Sequence, residues 1–225
     1  MSYDAIIAQL KSLANPHNVE GMARFGIASA NTLGISLPVL REIARAHKKD
    51  HALALQLWDS GIHEARILAT IIDDPQQVTP EQMEAWAADF DSWDVVDQAC
   101  SNLFEKTPYA DQKIRAWHAR DEEFVKRAAF SLIAYVAVHH KKASNEAMEA
   151  YYPFIKGAAT DPRNFVKKAV NWALRQIGKR NRALNASALT LAREIAALDS
   201  KPAHWIAADA IKELTSEKTL SRLND

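Results

Sequence analysis

Apolar residues recur along almost the whole chain at three- and four-residue intervals. Ile6, Ile7, Leu10 and Leu13 follow a 3.6-residue period, as do Leu53 and Leu57 and, further on, Phe124, Ala128, Leu132 and Tyr135. Sustained alternation of apolar and polar residues, the mark of a half-buried strand, is absent. The punctuation is helical as well. Thr79-Pro80-Glu81-Gln82 predicts a helix start, with Thr79 at N-cap, Pro80 at N1 and Gln82 at N3 of a capping box. Asp161-Pro162 predicts a second start of the same kind, because an Asp oxygen can accept orphan N–H groups and proline has none to lose. Gly61 and Gly178 predict C-terminal stops, where a residue without Cβ turns left-handed. Helices of about 10 to 17 residues with short connections follow, and the fold class is all-α.

The helices also repeat. His63-Glu64-Ala65-Arg66-Ile67-Leu68-Ala69 is similar to Phe124-Val125-Lys126-Arg127-Ala128-Ala129-Phe130 and to Phe165-Val166-Lys167-Lys168-Ala169-Val170-Asn171. From Arg127 it is 41 residues to Lys168 and another 41 to Asp209; backwards it is 30 to Asp97 and 31 more to Arg66. Trp93 and Asp97 stand four apart, as do Trp205 and Asp209. Helix-pair repeats of the HEAT or armadillo type have about this period. One pair cannot bury its apolar face alone, so pairs stack into a helical solenoid with a concave face that carries the recurring polar residues. Residues 1–225 are expected to form a single α-helical repeat domain.

Composition narrows the setting. At 48% apolar and 25% charged residues the chain is not mostly disordered. Its longest nearly apolar run, Phe130 to Val138, falls well short of the ~20 residues a membrane span needs. The N-terminus has no basic-then-apolar leader pattern, and Cys100 is the only cysteine. A cytoplasmic monomer with no membrane partner is expected. No Gly-rich phosphate loop and no Gly-x-Ser-x-Gly elbow is present. His63-Glu64 begins like a zinc-protease motif, but Ile67 stands where the second histidine would be, so no metal is expected.

The net charge is zero, yet the charges are separated. Residues 67 to 105 hold nine acids and no Lys or Arg, and residues 163 to 182 hold seven bases and no acid. Such asymmetry supports a local anion-binding surface that the total hides. Lys168, Trp172, Arg175 and Lys179 fall on one helix face. Cations interleaved with an indole fit a nucleic-acid backbone, since Lys and Arg meet phosphates while the ring packs on sugar or base. Trp93 and Asp97 give a second helix an aromatic one turn from a carboxylate. Asp is a poor helix-interior residue and costly to bury unpaired.

Together His63-Glu64-Ala65-Arg66, Trp93-Asp94-Val95-Val96-Asp97, Lys126-Arg127-Ala128-Ala129 and the stretch from Phe165 to Asn181 resemble the AlkD-like DNA alkylation repair enzymes, over roughly residues 20 to 215. The resemblance implies HEAT-like repeats and an alkylpurine DNA glycosylase. Such an enzyme removes positively charged N3- and N7-alkylated purines from duplex DNA, without metal or organic cofactor. It further implies Asp97 as the catalytic carboxylate, Trp93 and Trp172 flanking the damaged nucleotide's backbone, Arg127 as the supporting cation and Arg175 on a neighbouring phosphate. Lys168, Lys179 and Arg180 are expected to hold further phosphates. The neutral total charge departs from the usual basic DNA-binding protein. Two rival functions stand beside this one: a non-catalytic module recognising DNA by shape, and a protein-interaction scaffold.

Overall fold

The computed structural model describes residues 2–27 and 30–224. Among them there is no strand. The residues gather into two compact units, one ending at Ala110 and the other running from Asp111 onward. The first holds α1 (Tyr3–Ser12), α2 (Pro16–Ala23), α3 (Leu37–Ala44), α4 (His51–Asp59), α5 (His63–Ile72), α6 (Pro80–Ala88), α7 (Trp93–Asn102) and a 3₁₀ turn, Phe104–Lys106. At the start of the second comes α8 (Ala110–Trp117), followed by α9 (Glu123–His139), α10 (Asn145–Glu149), α11 (Tyr152–Ala158), α12 (Asn164–Gly178), α13 (Arg182–Ala196), α14 (Lys201–Leu214) and α15 (Glu217–Leu220). Several of these helices are shorter than the periodicity suggested.

In the first unit, the indoles of Trp58 on α4 and Trp86 on α6 stack with centroids 4.0 Å apart, and Phe90 meets Trp58 edge-on. This buried aromatic cluster ties the outer helices together, while α5 packs against α3, α4 and α7. In the second unit α12 packs against α9, α11, α13 and α14. Val166, Ala169, Val170, Ala173, Leu174 and Ile177 of α12 are all buried, the wide apolar stripe that such a central position requires.

The repeat is visible in the helix starts. The helices α5, α7, α9, α12 and α14 begin at residues 63, 93, 123, 164 and 201. Asp97, Arg127 and Lys168 are each the fifth residue of their helix and Arg66 is the fourth, so their recurrence in sequence is a recurrence of structural position. Asp209 departs from this register. It sits a full turn further into α14, where it faces Asn171 instead of standing in for Lys168.

Local expectations fare unevenly. Thr79 caps α6, its Oγ accepting from the Gln82 N–H at 3.1 Å. Gln82 does not complete the box; its amide donates to Asp73 at 2.7 Å. Gly61 takes the left-handed conformation (φ +67°) beyond α4, as a C-terminal stop should. Gly178 is a glycine for another reason: a Cβ there would come within 2.8 Å of Leu214 and 2.9 Å of Ala188, so it permits close helix packing. Asp161 is not an N-cap. The helix α12 starts at Asn164, and Asp161 instead accepts from the Arg163 N–H and side chain and pairs with Lys126 at 3.0 Å. These contacts outweigh the cost of burial and hold its carboxyl far below the usual range.

Candidate functional site

The helix α7 carries Trp93 as its first residue and Asp97 one turn later. Both are half-buried, because the helix sinks Val95, Val96, Ala99 and Cys100 into the core and leaves this stripe at its edge. The Trp93 indole is fixed at its polar edge, donating from Nε1 to the Phe25 carbonyl at 3.0 Å. Its ring borders an apolar groove of about 520 Å³ lined by Met22, Phe25, Ile27, Gly34 and Ile35.

Two buried polar contacts set the position of this first turn. His63 Nε2 lies 2.9 Å from Asp94, next to Trp93, and Ser92 Oγ hydrogen-bonds the other oxygen of the same carboxylate. Burial pulls the His63 pKa down, but the hydrogen bond and charge of Asp94, with Glu64 and Asp91 beyond, raise it above the ordinary value. Burial works the other way on Asp94, yet the His63 and Ser92 contacts hold its carboxyl below the usual range. Glu64, fully buried, accepts from the backbone N–H groups of Leu33, Gly34 and Ile35 at 2.8, 2.6 and 3.3 Å. It thereby fixes the segment that walls the groove beside Trp93.

The second unit holds the remaining expected residues. Arg127 is buried on α9, and one guanidinium nitrogen donates to the Phe165 carbonyl at 2.8 Å in the first turn of α12. Trp172 is half-buried, edge-on to Tyr135 with centroids 4.9 Å apart. Lys168 is exposed on the same helix. A cleft of about 800 Å³ opens where α9, α12 and the C-terminal segment come together, with Lys141, Lys179, Arg180, Lys218 and Arg222 among its walls.

The stretch from 163 to 182 is less open to a ligand than its sequence suggests. Although it contains no acid, α14 brings two. Arg175 pairs with Glu213 and stands 3.5 Å from Asp209, while Lys179 pairs with Glu213 at 2.7 Å. Burial acts against the Glu213 charge, but Lys179 and Arg175 pull its pKa below the ordinary value. Any phosphate reaching Arg175 or Lys179 competes with that carboxylate. Arg180 differs from expectation more sharply. Its guanidinium donates to the carbonyls of Ala137, His140 and Ala143, satisfying the C-terminal end of α9 and the turn after it. Lys167, singled out only as one of seven bases, lies 4.6 Å from the centre of the Trp205 ring.

Sequence reasoning missed Glu64 and the His63–Asp94 pair. The signal for Glu64 was a carboxylate among Ala65, Ile67 and Leu68 on a helix that buries nearly all its residues. Among the described residues no group of three or more His, Cys, Asp or Glu side chains is arranged to hold a metal ion.

Comparison with known proteins places the chain in a family. A model of the DNA alkylation repair enzyme family matches residues 6–214. The chain belongs to that family. Over its whole length it shares the fold of a solved structure described as "a new family of proteins related to the HEAT-like repeat DNA glycosylases with affinity for branched DNA structures", with a TM-score of 0.83, 18% identity and coverage of 99% of this chain and 96% of that one. The uncharacterized protein Lmo0209 of Listeria monocytogenes and the uncharacterized protein Lin0241 of Listeria innocua are each 24% identical over 136 residues, which is 59% of this chain and 61% of theirs. The match thus spans about three fifths of those relatives' length.

Proposed function

We propose that the protein is a monofunctional DNA glycosylase that hydrolyses the N-glycosidic bond of cationic N3- and N7-alkylated purines in duplex DNA, in base excision repair. The observation that carries this reading, within a family of DNA alkylation repair enzymes, is Trp93 and Asp97 one turn apart on α7. An alkylated purine bearing positive charge leaves as a neutral base, taking the electron pair of the bond to C1′. No strong acid is needed to protonate it. What needs stabilising is the oxocarbenium-like sugar left behind. A carboxylate held near that sugar attracts the developing cation and orients the water whose oxygen bonds to C1′. Asp97 fills this role. Trp93 and Trp172 offer π faces to the sugar and backbone, at about 0.5–2 kcal/mol each. Arg127 is the site's cation, and Lys168, with Arg175 and Lys179 in exchange with Glu213, contacts phosphate.

The test is base release from duplexes that differ only in the charge of the lesion. Release of N7-methylguanine, with none of neutral hypoxanthine, is the expected result; equal release of both would remove leaving-group charge from the mechanism. A second reading is favoured by the structural relative described as having affinity for branched DNA: a shape-selective DNA-binding protein without base excision. It predicts tight, salt-sensitive binding to a four-way junction and no freed base.

A further inference from the structure

We infer that a second phosphate-binding patch lies in the first unit, formed by Arg41, Arg45, Lys48, Lys49 and Lys106. All five are exposed, and all line one cleft of about 240 Å³. They come from separate stretches of chain. Arg41 is in the last turn of α3, Arg45, Lys48 and Lys49 follow it, and Lys106 is brought alongside by the 3₁₀ turn after α7. The simplest alternative is that these cations only answer the negative end of α3. That account covers Arg41 and Arg45. It does not account for Lys106 standing beside them, because Lys106 answers the end of another helix, its ammonium donating to the Asn102 carbonyl at 2.6 Å.

The acids nearby offset only part of the cluster. Asp73, on the wall of the cleft, is buried and committed to His51 at 2.7 Å and to Gln82. Desolvation raises its pKa in spite of those partners. Glu42 pairs with Arg45, and both side chains are largely exposed. Asp74, held below the usual carboxylate range mainly by hydrogen bonds from Gln76 and Gln77, also feels the charge of Lys49, so Arg41, Lys48 and Lys106 present the remaining positive charge in one concavity. A linear polyanion fits such a line of cations better than a small ion does, because each charge can neutralise a separate phosphate and release its counterions.

The patch is related to Asp97 through α7. Asp97 and Asn102, which borders the cleft, are five residues apart on α7. At a rise of about 1.5 Å per residue that is roughly 7.5 Å along the helix. Two steps of duplex cover about 6.8 Å. Five residues also turn about 140° round a helix of 3.6 residues per turn, so the patch lies on a different face of α7 from Asp97 and grips backbone outside the nucleotide on which Asp97 acts. This inference rests on the proposed action on DNA.

The experiment uses the full chain, unmodified duplex and fluorescence anisotropy over a range of salt, comparing wild type with R41Q/K48Q/K106Q. Lys49 is left in place because its backbone is left-handed (φ 61°) and substitution there would confuse strain with charge. Loss of two to three phosphate contacts lowers the slope of log K against log salt by about 1.8–2.7. The charge-conserving R41K/K48R/K106R keeps the wild-type slope. In parallel, single-turnover release of N7-methylguanine at saturating protein stays at the wild-type rate in the triple Gln variant. An unchanged slope in that variant, with release intact, overturns the patch and leaves the glycosylase reading standing. The expected slope change with no release by wild type supports the patch and overturns the glycosylase reading.

Discussion

Glu64→Ala tests the inner support of the site without touching any surface that meets DNA. The wild-type carboxylate is fully buried and accepts three backbone N–H bonds, two of them at 2.8 Å or less. Removing it leaves the N–H groups of Leu33, Gly34 and Ile35 without that acceptor, and each orphaned buried donor costs about 1–3 kcal/mol. Some relaxation and water entry offset the sum, so the loss is about 3–5 kcal/mol. In a chain of this length each kcal/mol moves the melting temperature by about 2–4 °C, which gives a fall of roughly 6–20 °C. Glu64→Gln keeps one carbonyl oxygen for Gly34 and Ile35 but sets an amide against Leu33, for about 1–3 kcal/mol. Differential scanning calorimetry measures the shifts, and amide exchange at residues 33–35 shows whether the damage is local. Because Gly34 and Ile35 wall the groove that Trp93 borders, base release should fall below what the folded fraction alone predicts. A Glu64→Ala protein melting within about 1 °C of wild type, with protected amides at 33–35, would refute the assigned role.

Other outcomes follow from the same contacts. The raised His63 pKa means that its protonated form is favoured by folding; this stability is fully present below the unfolded value of 6.5 and is lost as pH rises through the folded pKa. The depressed Asp94 pKa contributes stability above 3.8 that is lost as pH falls through its folded value. The melting temperatures of wild type and Asp94→Asn should accordingly differ most between about pH 4 and 6.5, and a gap that is flat with pH would dismiss the ionic pair. Glu213→Gln frees Arg175 and Lys179 from a competing carboxylate and should tighten duplex binding about two- to fivefold, measured by anisotropy at low salt. Weaker binding would show that Glu213 positions those cations instead. Arg180→Met should lower thermal stability by about 2–3 kcal/mol, through loss of its bonds to the end of α9, with little change in the salt slope of DNA binding.

The division between what could and could not be read from sequence follows the range of the interactions. Helix type, the Thr79 cap and the Gly61 stop are local, decided within a few residues by period and capping chemistry, and they are found as expected. The recurrence of Asp97, Arg127 and Lys168 was legible because helices in a repeat reuse one position. The acids opposite Arg175 and Lys179 were not, since Asp209 and Glu213 arrive from a helix more than 30 residues further on and only packing of α14 on α12 brings them there. The carbonyl partners of Arg180 were hidden for the same reason: a surface cation and a helix-capping arginine look alike until the carbonyls of α9 are in place. Asp161 misled because Asp-Pro serves a turn as readily as a cap. The cluster from Arg41 to Lys49 was overlooked because Glu42 and Asp50 lie within or beside it, and charge counting along the chain averages what the fold separates.

The account depends most on the carboxylate of Asp97. With protein in excess over an N7-methylguanine duplex, the rate of base release by wild type and by Asp97→Asn tests it directly, with duplex affinity recorded on the same samples. The expected result is release by wild type and a rate about 10²–10³-fold slower in the variant at equal affinity, the loss of roughly 2.7–4 kcal/mol that removing one preorganised charge-stabilising group produces. An Asp97→Asn protein that frees the base at the wild-type rate, or a wild-type protein that binds the duplex and frees none, would contradict the account.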